Sequence, residues 1–354
     1  METVKFSDVV TRANTKEDRF NTDKIYYVGG EHIDSNEMKI EKRGIIAGST
    51  IGPMFYCGFK SGDILFVTRN PHLRKCGVVD FDGICSEKTF VLETKNRDIL
   101  LQEYLAIVMQ SDDFWNYCEE NKSGGVNYFI NWSTLAEYEF YLPPLAEQKV
   151  LAEKLWAAYE VKQSYLKMIE ATEEMVKSQF IEMFKDDEMV PLEDFCNIEK
   201  GSTITRNDVI PGTIPVVAGG QEPSCYHNVS NREAGMITIS ASGAYAGFVN
   251  YWTIPIFASD CNTICPKEKD DTNALFLYYG LKTMQNKIYG LQKGGAQPHV
   301  YGKDLQKVHF PLSSIEKQNS FSLIAEQADK SISELRKSVD AIDKVIKSLI
   351  NENL

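Results

Sequence analysis

The most regular apolar pattern of the chain lies at its C-terminal end, between Leu312 and Leu354. Apolar residues recur there every seven positions, with a companion series four residues later: Phe321, Ala328, Leu335, Ile342 and Leu349, then Ala325, Ile332, Val339 and Ile346. A stripe with this spacing is typical of a helix that needs a second helix to cover it. Because no Pro or Gly follows Pro311, we predict one continuous helix from Leu312 to Leu354.

A second long segment, Leu142–Phe184, contains neither Pro nor Gly after Pro143 and Pro144. Its apolar residues follow one helical face less regularly: Leu151, Ala158, Val161, Tyr165, Met168, Thr172, Met175 and Val176. A helix of this length would exceed about 50 Å, and a single one with an apolar stripe is not stable alone in water. We therefore predict that the two helices pair with each other. Two unrelated amphipathic helices on separate cores are the alternative.

Short apolar runs alternate with turn residues in the remaining segments. We predict strands at Ile64–Thr68, Thr89–Leu92, Met236–Ser240, Gly247–Tyr251 and Ile254–Ala258, and helices at Leu100–Glu119 and Asn273–Tyr289. Short strands with few helices indicate the α+β class, here as domains with curled, mixed or mostly antiparallel sheets.

The two halves of the chain repeat each other. Residues 122–135 can be laid on residues 292–305 at a constant offset of 170. Other matched positions follow in the same order in both halves: Tyr27–Gly30 with Val217–Gly220, Gly62 with Gly235, Phe140 with Phe310, and Gln148 with Gln318. The repeat predicts a duplicated unit of one globular domain and one long helix. The predicted boundaries are 1–141 and 187–311 for the domains, and 142–186 and 312–354 for the helices.

Composition places the chain among ordinary globular proteins, with 354 residues, 43% hydrophobic and 25% charged. No apolar run approaches the length of a membrane span, and the N-terminus has no apolar signal region, so we expect neither membrane insertion nor secretion. Eight scattered cysteines without C-x-x-C pairs indicate reduced thiols in a cytoplasm. Taken alone, the net charge of −12 argues against a nucleic-acid binder.

Motifs for catalysis are mostly missing from the sequence. It contains no phosphate-binding loop, no dinucleotide-binding glycine motif, and no Asn/Asp-Pro-Pro-aromatic motif of amino-methyltransferases. Cys261 and Cys265 have no histidine at a companion metal-ligand spacing. One pattern stays open as an alternative: Asp82, Glu93 and Lys95 resemble the acid and Glu-x-Lys of a Mg²⁺-dependent endonuclease.

Residues suited to DNA recognition are concentrated in predicted turns. Arginine can bind guanine, asparagine and glutamine can bind adenine, and lysine can bind phosphate. The candidates in the first half are Arg69, Asn70, His72, Arg74, Lys75, Lys122, Asn127 and Tyr128, and those in the second half are Ser240, Ser242, Tyr245, Lys293, Gln297 and His299. Solvated turns whose glycines serve backbone geometry are the alternative interpretation.

Six stretches give the chain a resemblance to a known family over nearly its full length: residues 27–34, Gly62–Phe66, Pro143–Gln148, Ser178–Phe184, and the glycine loops at Gly219 and Gly294. The chain resembles the DNA-specificity subunit of type I restriction–modification enzymes. It departs from the pattern where the second helix begins, since Ser313-Ser314 replaces the double proline, and in the weakly basic loops of the second half.

The resemblance implies a non-catalytic subunit with two target-recognition domains, held apart by an antiparallel helix pair that measures the unread spacer of a bipartite target. It implies double-stranded DNA, modification subunits (two of them) and restriction subunits as partners. S-adenosylmethionine, ATP and Mg²⁺ would reside in those partners, and no cofactor in this chain. Partner docking would use the helices, for which we single out Tyr165, Met168, Leu335 and Ile342. A coiled-coil adaptor that binds proteins only is the other alternative.

Overall fold

The computed structural model describes residues 3–268 and 270–353, so Leu354 of the predicted C-terminal helix lies outside the described residues. The chain divides into two compact units. Unit 1 combines the chain up to Tyr165 with the chain from Lys337 onward, and unit 2 comprises Leu166–Arg336. Each unit contains a β-rich body and part of two long helices.

Unit 1 contains two four-stranded sheets and one two-stranded sheet among its described residues. Its strands are β1 (Thr3–Lys5), β2 (Val10–Ala13), β3 (Tyr26–Val28), β4 (Gly44–Ile45), β5 (Phe55–Phe59), β6 (Ile64–Val67), β7 (Cys76–Val78), β8 (Gly83–Ser86), β9 (Thr89–Thr94) and β10 (Glu139–Tyr141). Its helices are α1 (Phe6–Val9), α2 (Gln102–Val108), α3 (Asp112–Glu120), α4 (Trp132–Leu135) and the first part of α5 (Leu145–Phe184). The described sheets have the orders β2-β9-β6-β7, β4-β3-β8-β5 and β1-β10.

Unit 2 repeats this plan. Its strands are β11 (Glu188–Pro191), β12 (Cys196–Lys200), β13 (Ile214–Val217), β14 (Cys225–His227), β15 (Met236–Ser240), β16 (Val249–Trp252), β17 (Phe257–Ala258), β18 (Cys261–Pro266) and β19 (His309–Leu312). Its helices are α6 (Leu192–Phe195), α7 (Ala274–Thr283), α8 (Gln285–Tyr289), α9 (Gly302–Leu305) and the first part of α10 (Ile315–Asn353). The orders β12-β18-β15-β16, β14-β13-β17 and β11-β19 match those of unit 1, apart from β5. The predicted α+β class and internal repeat are confirmed.

Equivalent glycines show that the match extends to backbone conformation. Gly62 and Gly235 precede β6 and β15, with φ of +93° and +82°. Gly124 and Gly294, at the offset of 170 found in the sequence, both have φ of +98°. A side chain is strained in this left-handed region, which explains why glycine occupies both copies of each turn.

The two long helices run antiparallel. In unit 1, Ala152 and Leu155 near the start of α5 share a cluster with Ile346 and Ile350 near the end of α10. In unit 2, Phe180 and Phe184 near the end of α5 share a cluster with residues near the start of α10: Phe321, Ala325 and Ala328. The heptad of α10 is confirmed, because each of its described members is buried or half-buried.

The face predicted for the first long helix is partly wrong. Val161, Met168 and Met175 are exposed, whereas the neighbouring Lys162 and Ile169 are buried. The sequence pattern failed here because one of the covered positions carries a charged side chain. A lysine counts as polar in any periodicity argument, even when carboxylates compensate its burial.

Each of the two shorter helices predicted from the sequence, Leu100–Glu119 and Asn273–Tyr289, is split into two helices. Ser111 ends the run after α2, and its hydroxyl accepts a hydrogen bond from the Phe114 amide at 3.1 Å, the N-cap of α3. Likewise α7 ends at Thr283 before α8 begins. The strand predicted from Gly247 begins at Val249, since the φ of +93° at Gly247 lies outside strand geometry. The strand predicted from Ile254 begins only at Phe257.

Candidate nucleic-acid interface

The predicted recognition turns lie at one edge of the main sheet in each unit. In unit 1, β9 pairs antiparallel with both β2 and β6, so these two strands point the same way and end at the same edge. The turn 68–75 follows β6 at that edge, and the loop 14–25 follows β2. The same relation holds for β12, β15 and β18 in unit 2, with the turn 241–248 and the loop 201–213.

Each turn is held by a second, glycine-containing loop. The Asn70 amide donates to the Tyr128 carbonyl at 2.9 Å, and the Ile130 amide donates to the Thr68 carbonyl at 3.0 Å. In unit 2, the Gly243 amide donates to the Pro298 carbonyl at 3.0 Å, and the Val300 amide to the Ala241 carbonyl at 2.9 Å. We call residues 68–75 with 122–130 the first recognition edge, and residues 241–248 with 292–300 the second.

The shared backbone defines which side chains correspond. Arg69 forms an isolated bridge with Phe129, and Ser242 forms one with His299. Arg69 and Ser242 therefore occupy the same place in the two units. Asn70, with φ of +51°, corresponds in the same way to Gly243, with φ of +83°. The scaffold is conserved between the units while the side chains on it differ.

Arg69 lies along the surface of the first edge. Its guanidinium carbon is 5.1 Å from the centre of the Phe129 ring, and it donates to the Asn127 carbonyl at 3.3 Å. Stacking on an aromatic ring orients a guanidinium without neutralising it. His72 and Asn127 of the same edge are exposed, and Tyr128 is half-buried.

The other basic candidates of this edge have partners within unit 1. Arg74 forms an ion pair with Asp112 at 2.5 Å, and its hydrogen bond lowers the pKa of the Asp112 carboxyl. Lys75 donates to the Gly30 carbonyl at 2.6 Å, which fixes the turn to the second sheet. Lys122 pairs with Glu119 at 2.6 Å, and its ammonium lies 4.6 Å from the centre of the Tyr128 ring.

The second edge is less basic. Ser240 is buried, and its hydroxyl donates to the Gly220 carbonyl at 3.2 Å. Ser242 donates to the Asp260 carboxylate, and Lys293 pairs with Asp304 at 2.7 Å, which lowers the pKa of that carboxyl.

Exposed groups of the second edge lie on its glycine loop and its turn. Tyr245 and Gln297 are exposed, and the His299 ring stacks on that of Tyr301, with centroids 6.0 Å apart. Tyr301 was not among the predicted residues. Its aromatic partner at a spacing of two residues was the signal available in the sequence.

The loops that follow β2 and β12 also carry basic residues that were not predicted from the sequence. Lys16 and Arg19 lie in the loop 14–25, together with Phe20, whose side chain is 84% exposed. The Arg19 guanidinium lies 4.3 Å from the centre of the Phe20 ring. Arg206 is exposed in the corresponding loop of unit 2. A polar loop with interspersed basic residues after a short apolar strand was the signal for both.

Two residues of the endonuclease alternative, Asp82 and Lys95, have other partners. Asp82 pairs with Lys24 at 3.1 Å and accepts the Ser61 amide at 3.0 Å, while Lys95 donates to the Ser7 carbonyl at 2.6 Å. Across residues 3–268 and 270–353, no group of three or more His, Cys, Asp or Glu side chains is arranged to hold a metal ion.

A family model for the type I restriction modification DNA specificity domain matches residues 1–169 and 185–343. The chain belongs to this family. It is the DNA specificity subunit of a type I restriction–modification system, a non-catalytic subunit that acts with DNA and partner subunits. The endonuclease and adaptor alternatives are therefore wrong.

Two solved structures support the fold of this specificity subunit. The S subunit of a type I restriction–modification system from M. genitalium aligns with a TM-score of 0.65 and 16% identity, over 99% of this chain and 94% of that one. A chain from work on complex assembly and conformational transition of the type I system aligns with a TM-score of 0.56 and 21% identity, over 99% of this chain and 96% of that one.

Within the part of the chain that the structure describes, no helix is long and apolar enough to span a membrane.

Proposed function

We propose that each recognition edge contacts one half of a bipartite, asymmetric double-stranded DNA target. The observation that carries this proposal is that the two edges have the same backbone arrangement but different side chains at equivalent positions. Arg69 of unit 1 corresponds to Ser242 of unit 2, and Asn70 corresponds to Gly243. Because the backbone of the edge is duplicated, both edges would present their side chains to a DNA duplex in the same way. Different side chains on it give different base preferences, so the two half-sites need not be alike.

The contacts of the candidate residues suggest different roles in the first edge. Arg69, His72, Asn127 and Tyr128 lie at its surface and would meet base edges, with arginine suited to guanine and asparagine to adenine. Arg74 and Lys75 are held by Asp112 and Gly30, so we assign them to shaping the turn together with Asn70. Lys122 would exchange its Glu119 partner for a phosphate.

In the second edge we assign base contacts to Ser242, Tyr245, Gln297 and His299, and a phosphate contact to Lys293. Ser240 is 4% exposed, so its role is to fix the Gly220 turn. Serine hydroxyls bind either base class, and a glutamine amide suits adenine. This edge therefore has fewer cationic groups than the first, and its affinity would depend less on salt.

Partner subunits complete the activity in this proposal. The net charge of −12 makes strong autonomous binding to phosphates unfavourable, so modification subunits, two per complex, would supply further basic contacts. They would hold S-adenosylmethionine, and restriction subunits would hold ATP and Mg²⁺, in the cytoplasm. For docking on the helices, Met168 is exposed and Tyr165 and Leu335 are half-buried, whereas Ile342 packs in a cluster of unit 1.

We further propose that residues 1–141 and 187–311 act as target-recognition domains, and that the helices 142–186 and 312–354 set the length of the unread spacer. Helices of 40 and 39 residues are stiff enough to measure a distance. Exchanging residues 190–311 for those of a relative should change one half of the recognised motif. The other half and the spacer length should stay the same.

The deciding experiment is methylome sequencing of cells that express the modification partner with or without this chain. We expect one bipartite adenine-methylation motif that appears only with the chain present. An identical methylation pattern without the chain, or a motif with no unread spacer, would overturn the proposal.

A further inference from the structure

Two cysteines of unit 1 face each other across neighbouring strands. Cys57 on β5 and Cys85 on β8 are direct partners in the antiparallel register. The register shifts between Phe55 and Cys57, so the strand is bulged immediately before this pair. Unit 2 has no counterpart of β5 among its described residues, which makes the pair a feature of unit 1.

The backbone geometry of this pair suits a covalent bond between the sulfurs. Directly opposite residues in an antiparallel ladder have Cα atoms roughly 4.5–5.5 Å apart, within the range of about 4.4–6.8 Å found for disulfides. Side chains at such positions point to the same face of the sheet. Because both side chains lie on one face of the sheet at directly opposite positions, little backbone movement separates the two free thiols from a disulfide.

The two thiols differ in exposure and acidity. Cys57 is half-buried, and the neighbouring Cys85 thiol lowers the pKa of Cys57 below the ordinary thiol value, with a further contribution from the positive charge of Arg12. Cys85 is fully buried, and the neighbouring Cys57 sulfur together with burial raises the pKa of Cys85. This is the asymmetry of an attacking thiolate and a resolving thiol.

We propose that Cys57 and Cys85 are a reversible oxidation site that forms an intramolecular disulfide with hydroperoxides. The Cys57 thiolate attacks the peroxide oxygen, which breaks the O–O bond, oxidises the sulfur to a sulfenic acid and releases hydroxide or alkoxide. The Cys85 sulfur then attacks the sulfenic sulfur. The S–S bond forms, and the hydroxyl group leaves as water with the proton of Cys85. A dithiol reductant restores both thiols.

The location of the pair connects it to the first recognition edge. Cys85 is the parallel partner of Val28 on β3, and the 3₁₀ turn after β3 presents the Gly30 carbonyl that holds Lys75. A covalent link between β5 and β8 would restrain the sheet on which this turn rests. We expect amide exchange in residues 55–59 and 83–86 to slow by a factor of about ten or more in the oxidised form.

The test is to treat the full chain with hydrogen peroxide and identify disulfides by non-reducing peptide mapping. We expect a peptide pair joined through Cys57 and Cys85, with the loss of two hydrogens, that disappears on reduction. Cys225 is the matched control, because it is also half-buried on a strand but faces Val216. It should form no disulfide under the same conditions.

The variant Cys85→Ser extends the test, since its Cys57 sulfenic acid would persist and react with a dimedone-type trap. Wild-type chain should show little trapping at the same peroxide concentration. If wild-type Cys57 is trapped as readily as in Cys85→Ser, or is joined to any cysteine other than Cys85, the proposal is wrong. The wild-type mapping decides the matter even if the variant fails to fold.

Discussion

Two buried glutamines occupy equivalent places in the two units and make the same three hydrogen bonds. Gln148 accepts the Leu101 amide at 3.0 Å and donates to the Ile99 and Pro143 carbonyls, both at 2.8 Å. Gln318 accepts the Asn273 amide at 2.8 Å and donates to the carbonyls of Asp271 and Ser313. Each amide thus joins the start of a long helix to the loop before α2 or α7.

Replacing either glutamine with leucine should therefore be costly. Gln148→Leu and Gln318→Leu each leave three backbone groups without their partner, and we expect a loss of about 2–4 kcal/mol in the free energy of unfolding of the affected unit. Chemical denaturation measures the loss. Gln327→Leu, at an exposed position of α10, is the control and should change stability by less than about 0.5 kcal/mol. A loss no larger than the control's would contradict the role assigned to these amides.

Asp112 connects the first recognition edge to the last helix. Its carboxylate binds Arg74 at 2.5 Å, and both its amide and its carboxylate bind Asn351 of α10. The hydrogen bond from Arg74 lowers the pKa of Asp112 from the ordinary 3.8. A carboxyl whose pKa falls on folding stabilises the folded state above its ordinary pKa, and this stability is lost as the pH falls through the lowered value.

Asp112→Asn should accordingly make the free energy of unfolding vary less with pH in the acid range. We expect the variant to be less stable than wild type at pH 7, since it also loses a negative charge in the first turn of α3. The difference should shrink as the pH falls below 3.8, where the wild-type carboxyl becomes protonated. Urea denaturation midpoints between pH 7 and pH 3 provide the measurement. A constant difference over that range would contradict the assignment.

At the scale of elements, one buried lysine links the two long helices to a loop of unit 1. Lys162 of α5 is 7% exposed and pairs with Glu37 at 3.0 Å and with Asp343 of α10 at 2.9 Å. Burial alone would lower the pKa of Lys162, but the hydrogen bonds with both carboxylates reverse the shift and raise it. Tyr159 adds a hydrogen bond to Glu37 at 3.0 Å.

Lys162→Met should destabilise unit 1 by leaving two carboxylates without a cation. Both keep partial contact with water, so we expect about 1–3 kcal/mol, less than for a fully buried pair. The triple variant Lys162→Met, Glu37→Gln, Asp343→Asn should recover part of the loss, because it removes the uncompensated charges. Denaturation of the three proteins at one pH tests this. A triple variant less stable than Lys162→Met would show that the charges are not the cause.

The helices and turns also show which elements can be predicted from the sequence. The heptad of α10 and the proline boundaries identified both long helices, because long periodic segments carry a strong signal. The break at Ser111 was missed since apolar periodicity continues through it, although Ser111 before Asp112 and Asp113 is a typical N-cap pattern. The turns of the candidate site were selected by composition, and their contact with DNA stays a prediction. The partners of Arg74 and Lys75 were not predicted, because Asp112 and Gly30 are distant in sequence.

At the scale of the whole molecule, duplication and divergence have separate physical roles. The positions that repeat are those that fix the backbone, such as Gln148 and Gln318, or the glycines with positive φ. The recognition edges are among the places where the two units differ, as at Arg69 and Ser242. Changing a side chain on one edge therefore leaves the framework of both units intact, and the two specificities are expected to vary independently.

Arg69→Ala and Ser242→Ala test this independence at equivalent positions of the two units. Loss of a bidentate arginine contact is worth about 1–3 kcal/mol of discrimination, so Arg69→Ala should relax one position in one half of the methylated motif. Ser242→Ala should relax a position in the other half, with a smaller effect because one hydroxyl contact is lost. Each variant is the control for the other. Methylome sequencing of cells that contain the modification partner reads both halves of the motif at once. If a single substitution relaxed both halves, separate recognition by the two edges would be contradicted.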